Sequence, residues 1–561
     1  MAALLGLLGI FLLYPVWLIV RGGFAVDIVS GEGWTLRHAL LVFRDPILRT
    51  GLINALGLAV FTTTLCMLIG VPLAFFSARY TYPLKGVWNA AILVPLILPP
   101  FVGAIGFKAI LGRTGALNTL LGTDWDILGE WRFWGVVVAL ALHLYPITYL
   151  NATAALANLD PALDEAAETL GVGPIRRFFA ITLPLIRPGL FAGGAIVFIW
   201  SFTELGTPLM FDYYDVTAVQ IFNGVKEMSS SAQPYALTAV MLGAAIIVYI
   251  LGKAVFGRAG FATSMRASRA GEIAPLSPVA GWAVATGFGL VILLALLPHI
   301  GVILMAFATP GGWYNSILPT EWTLNNFEQA LGHPLAFGSI TNSLKLAGAA
   351  MVLDIILGIA IGYLVVRTKI RGRSLLDGLA MLPLAVPGLV MAFGYVAMTL
   401  RWPFGPGDPL EGKLDIVGAD PNPFPLLIIA YAVRRLPYVV RATVAGLQQV
   451  TVDLEEAAQN LGASVLTTIR RISIPLITAN LLAGGLLAFS FAMLEVSDSL
   501  ILAQQEQHYP ITKAILSFTE RLGDGVAIAC GMGVWGMLLL TATLVGASIL
   551  LGKSLGALFR V

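Results

Sequence analysis

The stretch DEAAETLGVGPIRRFFAITLP, residues 164–184, returns as EEAAQNLGASVLTTIRRISIP, residues 455–475, at a lag of 291 residues (455 minus 164). Both copies follow the pattern E-A-A-x3-G-x9-I-x-(L/I)-P. The shared positions are Glu165, Ala166, Ala167, Gly171, Ile181 and Pro184 in the first copy, and Glu456, Ala457, Ala458, Gly462, Ile472 and Pro475 in the second. A long pattern that is filled twice at one lag indicates an internal repeat.

Each copy predicts a short helix that is acidic at its start and stops at a glycine. Asp160 and Pro161 are typical of an N-cap and a first helical residue, and Gly171 is typical of the residue that ends a helix. The second copy follows the same plan, with Asp453 as its cap and Gly462 as its stop. Asp164 and Glu455 place a further acid directly before the shared glutamate of each copy.

Such a helix suits docking into a groove on another protein. The alternative is an amphipathic connector on the lipid surface, but helices of that kind are usually basic and bulky. We therefore interpret residues 151–188 and 441–478 as two docking loops, with Asp164, Glu165, Glu455 and Glu456 as their acidic surface.

The repeat extends far beyond these loops. Asn54 matches Asn342 at a lag of 288 (342 minus 54), and Pro99 matches Pro387 at the same lag. Glu204 then matches Glu495 at the lag of the loops. We expect two units, 1–256 and 281–561, joined by a basic linker, 257–280.

The composition places these units in a membrane. Of 561 residues 58% are apolar and only 11% are charged, which is too little polar surface for a soluble globule of this size. Apolar stretches of about 20 residues, long enough to cross a bilayer, recur twelve times. They lie near 2–20, 52–76, 87–110, 133–150, 189–211, 235–256, 281–308, 340–366, 375–400, 424–440, 479–503 and 526–552. The first is expected to be a retained helix and not a cleaved signal peptide.

Charge distribution predicts the orientation. Most Lys and Arg residues, including Arg176 and Arg470, fall in segments that are cytoplasmic if the chain starts inside. The positive-inside rule then puts both termini in the cytoplasm. Six spans per unit give both repeats the same orientation, related by an axis along the membrane normal. A net charge of +2 without a basic stripe argues against nucleic-acid binding.

The paired loops resemble the EAA loops of the membrane subunits of binding-protein-dependent ABC importers, closest to the fused double permeases of the ferric-iron transport group. The resemblance implies an all-α polytopic membrane protein of two tandem six-helix MetI-like units. It implies that each loop contacts one of two cytoplasmic ATPase subunits, and that an extracytoplasmic binding protein delivers the substrate. The segment Glu204-Leu205-Gly206-Thr207-Pro208 is similar to an acid-Gly-Thr-Pro segment of iron-type permeases, whereas Glu495-Val496-Ser497-Asp498 keeps only the acid.

Ionisable residues inside predicted spans are candidates for function, because such groups are costly in lipid. Glu204, Thr207, Glu495 and Asp498 are candidates for the lining of a translocation path, and the alternative is a pair of acids bonded to helix ends. Asp354 matches Cys66 in the other repeat, so it has no symmetric partner. For Asp354 we expect a buried hydrogen bond.

These observations predict the fused transmembrane subunit of an ATP-driven importer in a bacterial inner membrane. We expect no catalytic site, no metal site and no cofactor on this chain, and expect ATP and Mg to be used by the partner ATPase. Ferric iron is the expected substrate, with thiamine, 2-aminoethylphosphonate, a polyamine or another small solute as alternatives. An ion-coupled secondary transporter and a membrane-embedded enzyme are the rival classes.

Overall fold

A computed structural model describes residues 1–28, 32–157, 159–256, 274–416 and 421–551. Within this described part almost all regular structure is helical. The strands there are Tyr80–Thr81 and Ala274–Pro275, which pair in parallel. The all-α class that the resemblance implies is therefore confirmed.

The chain forms two compact units. The unit that we call the amino-repeat unit contains the described residues of 46–219 and 241–323, and the carboxy-repeat unit contains those of 1–45, 220–240 and 324–558. The amino-repeat unit has helices Pro46–Arg79, Lys85–Ala91, Val94–Ile97, Pro100–Leu111, Ala116–Leu121, Ile127–Glu130, Arg132–Ala157, Pro161–Thr169, Pro174–Arg177, Phe178–Thr182, Leu183–Phe202, Gly206–Met210 and Pro278–Phe307.

The carboxy-repeat unit begins with the first helices of the chain. Its helices are Ala2–Leu8, Gly9–Leu13, Tyr14–Gly23, Arg37–Arg44, Val225–Glu227, Asn325–Gly332, Pro334–Arg367, Arg373–Met381, Leu382–Leu384, Gly388–Thr399, Phe424–Gln449, Asp453–Asn460, Val465–Thr468, Ile469–Ser473, Ile474–Leu476, Thr478–Met493, Ser497–Leu502, Glu506–His508, Ile511–Thr519 and Gly525–Leu551. Helices Thr217–Gly224 and Gln233–Phe256 contribute to both units.

The boundaries of these units do not coincide with those of the contiguous repeats, 1–256 and 281–561. Each unit combines the core helices of one repeat with the leading helix of the other. In the carboxy-repeat unit a Cβ added at Gly394 would lie 2.9 Å from Pro15, and in the amino-repeat unit one added at Gly106 would lie 2.1 Å from the Pro298 carbonyl oxygen. Gly106 and Gly394 are equivalent in the repeat, so both leading helices pack on the same glycine position. Of the expected linker, 257–273 lies outside the described residues.

Eight described helices are long and apolar enough to span a membrane, and three bent pairs raise the number to at most eleven. The tenth expected span, 424–440, lies in the helix Phe424–Gln449 and does not meet this criterion. Arg434, Arg435 and Arg441 account for the difference, because they make this helix too polar.

Two expected spans, 87–110 and 375–400, are sharply bent. Their halves meet at 98° and 104°. The breaks fall at Pro99 and Pro387, which are equivalent in the repeat and adopt extended backbone angles. Proline lacks an amide hydrogen and disfavours a helical conformation for the residue before it, so both helices are interrupted at the same place. The third bent pair, at 77°, joins Val465–Leu476 to Thr478–Met493.

Candidate functional site

The first docking loop is a capped helix, as expected. The Asp160 carboxylate accepts the Ala162 amide at 3.0 Å, at the start of Pro161–Thr169. Gly171 has φ +76°, and its amide donates to the Glu168 carbonyl at 2.8 Å. A left-handed residue at this position closes the last helical turn, which is why glycine is suited to it.

The second loop repeats this geometry with one difference. Gly462 has φ +89° and donates to the Gln459 carbonyl at 2.9 Å. The expected cap at Asp453 is wrong: Asp453 is the first helical residue, and Val452 precedes it without a side-chain cap. Asp453 still places its negative charge in the first turn, where the partial positive charge of the helix end is stabilised.

Both loops present an exposed surface that is acidic at one end and apolar at the other. We call these surfaces the docking faces; they comprise Glu165, Ala166, Leu170 and Ile175, and Glu456, Ala457, Leu461 and Leu466. Leu170 is 82% exposed and Leu461 is 90% exposed. These leucines are equivalent in the repeat, and large apolar side chains left exposed in matching positions are typical of an interaction site.

Most of the remaining motif positions pack within the structure and do not lie on the docking faces. Ala167 is buried, and Ala458, Ile181, Ile472 and Pro184 are half-buried, whereas Pro475 is exposed. In each alanine pair, the first residue therefore lies on the docking face and the second packs beneath it.

Glu455 does not lie on the surface where it was expected. Its carboxylate is buried, where it pairs with the Arg367 Nε at 2.9 Å and accepts the Ser473 hydroxyl at 2.9 Å. Arg367 also donates to the Val450 carbonyl at 2.9 Å. Glu455 thus ties the docking loop to the end of the long helix Pro334–Arg367. Its repeat counterpart, Asp164, has a side chain outside the described part of the structure.

A second feature of the carboxy-repeat unit is a buried charge cluster of Arg435, Glu495 and Asp498, joined by Arg434, whose side chain is 24% exposed. Arg435 Nη2 donates to Glu495 Oε2 and to the Phe491 carbonyl. Arg434 Nη1 lies 3.1 Å from Glu495 Oε1 and 3.8 Å from Asp498 Oδ2. The two carboxylates of the expected path are therefore balanced by two guanidinium groups.

No role for these arginines in the membrane was predicted from the sequence. An Arg-Arg pair inside an apolar stretch was the available signal, since such charges need partners in a membrane. Gly388, at the bend of the 375–400 segment, leaves the space for Arg434, because a Cβ there would overlap the guanidinium.

At the equivalent place in the amino-repeat unit, Glu204 contacts Thr207. Glu204 Oε1 accepts the Thr207 amide at 3.1 Å and the Thr207 hydroxyl at 3.0 Å. His143 and Leu144 occupy the positions that correspond to Arg434 and Arg435. Glu204 therefore accepts two hydrogen bonds at the start of the helix Gly206–Met210.

The buried hydrogen bond expected for Asp354 is not found among the described residues. Asp354 is fully buried in the helix Pro334–Arg367, and neither carboxylate oxygen has a hydrogen-bond partner among the described residues.

An open cleft of about 580 Å³ on the amino-repeat unit was not identified from the sequence. Trp131, Trp134 and Tyr214 line it beside Asp212, which has φ +53° and pairs with Lys108 at 2.8 Å. Burial, together with the charge of Asp215, raises the pKa of Tyr213 in this cleft to about 12. The cleft thus offers aromatic rings, a neutral phenol and charges of both signs to a polar partner.

Paired docking loops on a duplicated helical membrane fold define a transport permease. The chain belongs to the family of binding-protein-dependent transport system inner membrane components, whose model matches residues 70–261 and 354–550. It is therefore a multi-pass permease of an ABC importer, and the family expected from the paired loops is confirmed.

Curated relatives include permeases for different solutes. The ferric transport system permease protein FbpB of Actinobacillus pleuropneumoniae is 27% identical over 535 residues, 93% of this chain and 74% of that protein. The putative ferric transport system permease protein FbpB 1 of Haemophilus influenzae is 27% identical over 500 residues, 88% and 76% of the two chains. The molybdenum transport system permease protein ModB of Escherichia coli K12 is 33% identical over 162 residues, 28% of this chain and 71% of that protein.

Proposed function

We propose that this chain moves a small solute across the inner membrane while two ATPase subunits bind its two docking faces. The observation that carries the proposal is the matched exposure of Leu170 and Leu461 next to Glu165 and Glu456. An apolar anchor beside an acid suits a partner groove that has an apolar floor and a basic rim.

The docking loops would transmit movement because they are fixed to the membrane helices. In the carboxy-repeat unit, the buried Arg367 and Glu455 pair joins the docking helix to the end of Pro334–Arg367. A displacement of the docking face would therefore shift that helix as well. ATP and Mg would act in the ATPase, and their energy would reach this chain as a difference in binding between two states.

The basic residues favour an orientation with both termini and both docking loops in the cytoplasm. The aromatic cleft around Trp131 and Asp212 would then lie on the opposite side. There it would be placed to receive a solute-binding protein.

Ferric iron is the proposed substrate, supported by the ferric permease relatives that align over most of the chain. Molybdate, thiamine, 2-aminoethylphosphonate and polyamines are the other candidates. Within the proposed path, Glu204, Thr207, Glu495 and Asp498 would contribute polar groups, although Glu495 is already neutralised by two arginines. Thermal-shift measurements on the purified binding protein with Fe(III), molybdate, thiamine, aminoethylphosphonate and spermidine would identify the substrate, and no shift with Fe(III) would count against iron.

The docking proposal is tested by reversing one charge on each face. In Glu165→Lys with Glu456→Lys, the ATPase should no longer co-purify, because each lysine would repel a basic groove rim. Glu328→Lys, at an exposed acid of the helix Asn325–Gly332, is the matched control and should leave co-purification intact. Unchanged ATPase recovery with the double variant would refute the docking claim.

The rival class, a secondary transporter, makes a different prediction. It requires solute uptake into proteoliposomes that contain this chain alone. The importer requires the ATPase, ATP and the binding protein together. Uptake by the chain alone would therefore overturn the proposed function.

A further inference from the structure

Two helices of the carboxy-repeat unit, Pro334–Arg367 and Phe424–Gln449, pack along a ladder of small residues. A Cβ added at Gly358 would lie 2.7 Å from Val439, and one added at Gly362 would lie 2.6 Å from Thr443. From the first contact to the second, each helix advances by four residues. Four residues before the first contact, the same ladder pairs Asp354 with Arg435. The arginine that holds Glu495 therefore lies on the helix face that meets Asp354, and the two charges interact electrostatically.

Asp354 receives no hydrogen bond from this neighbour. Arg435 Nη2 is directed at Glu495 and at the Phe491 carbonyl, and the Arg435 Nε has no hydrogen-bond partner among the described residues. Both Asp354 oxygens are left without a donor although the side chain is 0% exposed. Neutralisation is the usual outcome for a carboxyl group in such surroundings.

The charge count of the cluster also favours a neutral Asp354 carboxyl group. Glu495 and Asp498 are matched in number by Arg434 and Arg435, although Asp498, 3.8 Å from Arg434, accepts no hydrogen bond among the described residues. Asp354 adds a third carboxylate at the next step of the ladder. The phenols of Tyr395, Tyr431 and Tyr438 also interact with the cluster and add no positive charge. One positive charge is therefore needed to make this buried site neutral.

The other repeat lacks the counterparts of Asp354 and Arg435. Cys66 and Leu144 stand where Asp354 and Arg435 are, and the Cys66 thiol points to the Ala141 carbonyl at 3.5 Å. The corresponding ladder contact is kept, because a Cβ added at Gly70 would lie 3.1 Å from Thr148. The helix packing is thus common to both repeats, whereas the charges belong to one.

We propose that Asp354 is a proton-binding site, and that its proton neutralises the buried charge cluster of the carboxy-repeat unit. A proton fits better than a metal ion, which would need several more oxygen ligands than this carboxylate supplies. Arg435 would then have two alternative acidic partners. Loss of the proton would draw its guanidinium from Glu495 towards Asp354.

The first test is chemical labelling of the purified full-length chain with dicyclohexylcarbodiimide, an apolar reagent that reacts with protonated carboxyl groups. Peptide mass spectrometry should find the adduct at Asp354 but not at Glu495, which is held by two arginines in the same sample. Labelling should decrease as the pH is raised and should be equal in NaCl and KCl. If NaCl but not KCl protected Asp354 from labelling, the site would bind a sodium ion and the proton proposal would be refuted.

The second test does not depend on access of a reagent. The infrared spectrum should contain the carbonyl stretch of a protonated carboxyl group, and Asp354→Asn should lose this band. Asp354→Cys, which copies the other repeat, should lose it as well, while Glu328→Gln, at an exposed acid, should keep it. Identical carboxyl bands in the parent chain and in both Asp354 variants would refute the proposal, whatever the labelling result.

Discussion

Arg367 and Glu455 form a buried ion pair, 2.9 Å from Nε to Oε2, in which the side chains are only 7% and 3% exposed. The pair joins the last residue of a 34-residue helix to the first turn of the second docking helix. Its position makes the geometry of the docking face dependent on a membrane helix.

Glu455→Gln should loosen the second docking loop, because it leaves the Arg367 charge buried without its partner. Removing one member of a buried pair costs about 3–5 kcal/mol. Hydrogen exchange across 450–464 should increase and the melting temperature should fall. Glu456→Gln is the matched control at the adjacent, exposed acid and should change stability by less than about 0.5 kcal/mol. Equal effects at the two positions would contradict the anchoring role of Glu455.

Gly462→Ala should destabilise the second loop through the backbone alone. No atom lies within 4 Å of the added Cβ, but φ is +89°, and a left-handed conformation costs a residue with a Cβ about 1–2 kcal/mol. Gly462→Asn should cost less, since asparagine tolerates this conformation. Gly348→Ala, in a helix and also without neighbours within 4 Å, should be neutral or stabilising. Thermal unfolding in detergent would give this order, and an Ala variant at 462 as stable as the parent would contradict it.

Leu170→Asp together with Leu461→Asp should abolish ATPase binding without lowering the melting temperature. Both side chains are largely exposed, so little packing is lost within the chain. Leu522→Asp is the matched control, at a leucine that is 95% exposed outside the docking faces. Co-purification of the ATPase measures the outcome. Normal recovery with the double variant would show that the exposed leucines do not contribute to docking.

Lys513 should make stability depend on pH in the alkaline range. Burial lowers its pKa from 10.5 to about 8, against the opposing charge of Glu520. Between these two values the unfolded chain binds more protons than the folded one, so stability should rise as the pH increases from about 8 to 10.5. Lys513→Met should flatten this rise, whereas Lys226→Met should leave most of it. A parent chain whose melting temperature is constant across this window would disprove the prediction.

Local features of this protein follow from sequence alone. The repeated motif, the apolar stretches and the stops at Gly171 and Gly462 depend on residue type and spacing within a few turns of chain, so they were predictable. The Asp453 cap was not, because Asp453 enters the helix as its first residue. The breaks at Pro99 and Pro387 had a visible signal in the prolines, but the bend angles depend on packing.

Tertiary structure decided which side chains meet. The duplicated helical fold and the docking motif follow from residue type and spacing, since periodicity and backbone preference act locally. Only the fold showed that each leading helix packs with the core of the other repeat, that Glu455 is an anchor and that Arg435 binds Glu495 on the helix face opposite Asp354. These contacts join residues far apart in the chain, and their free energy depends on burial and on the charge of the neighbour, neither of which is present in a linear pattern.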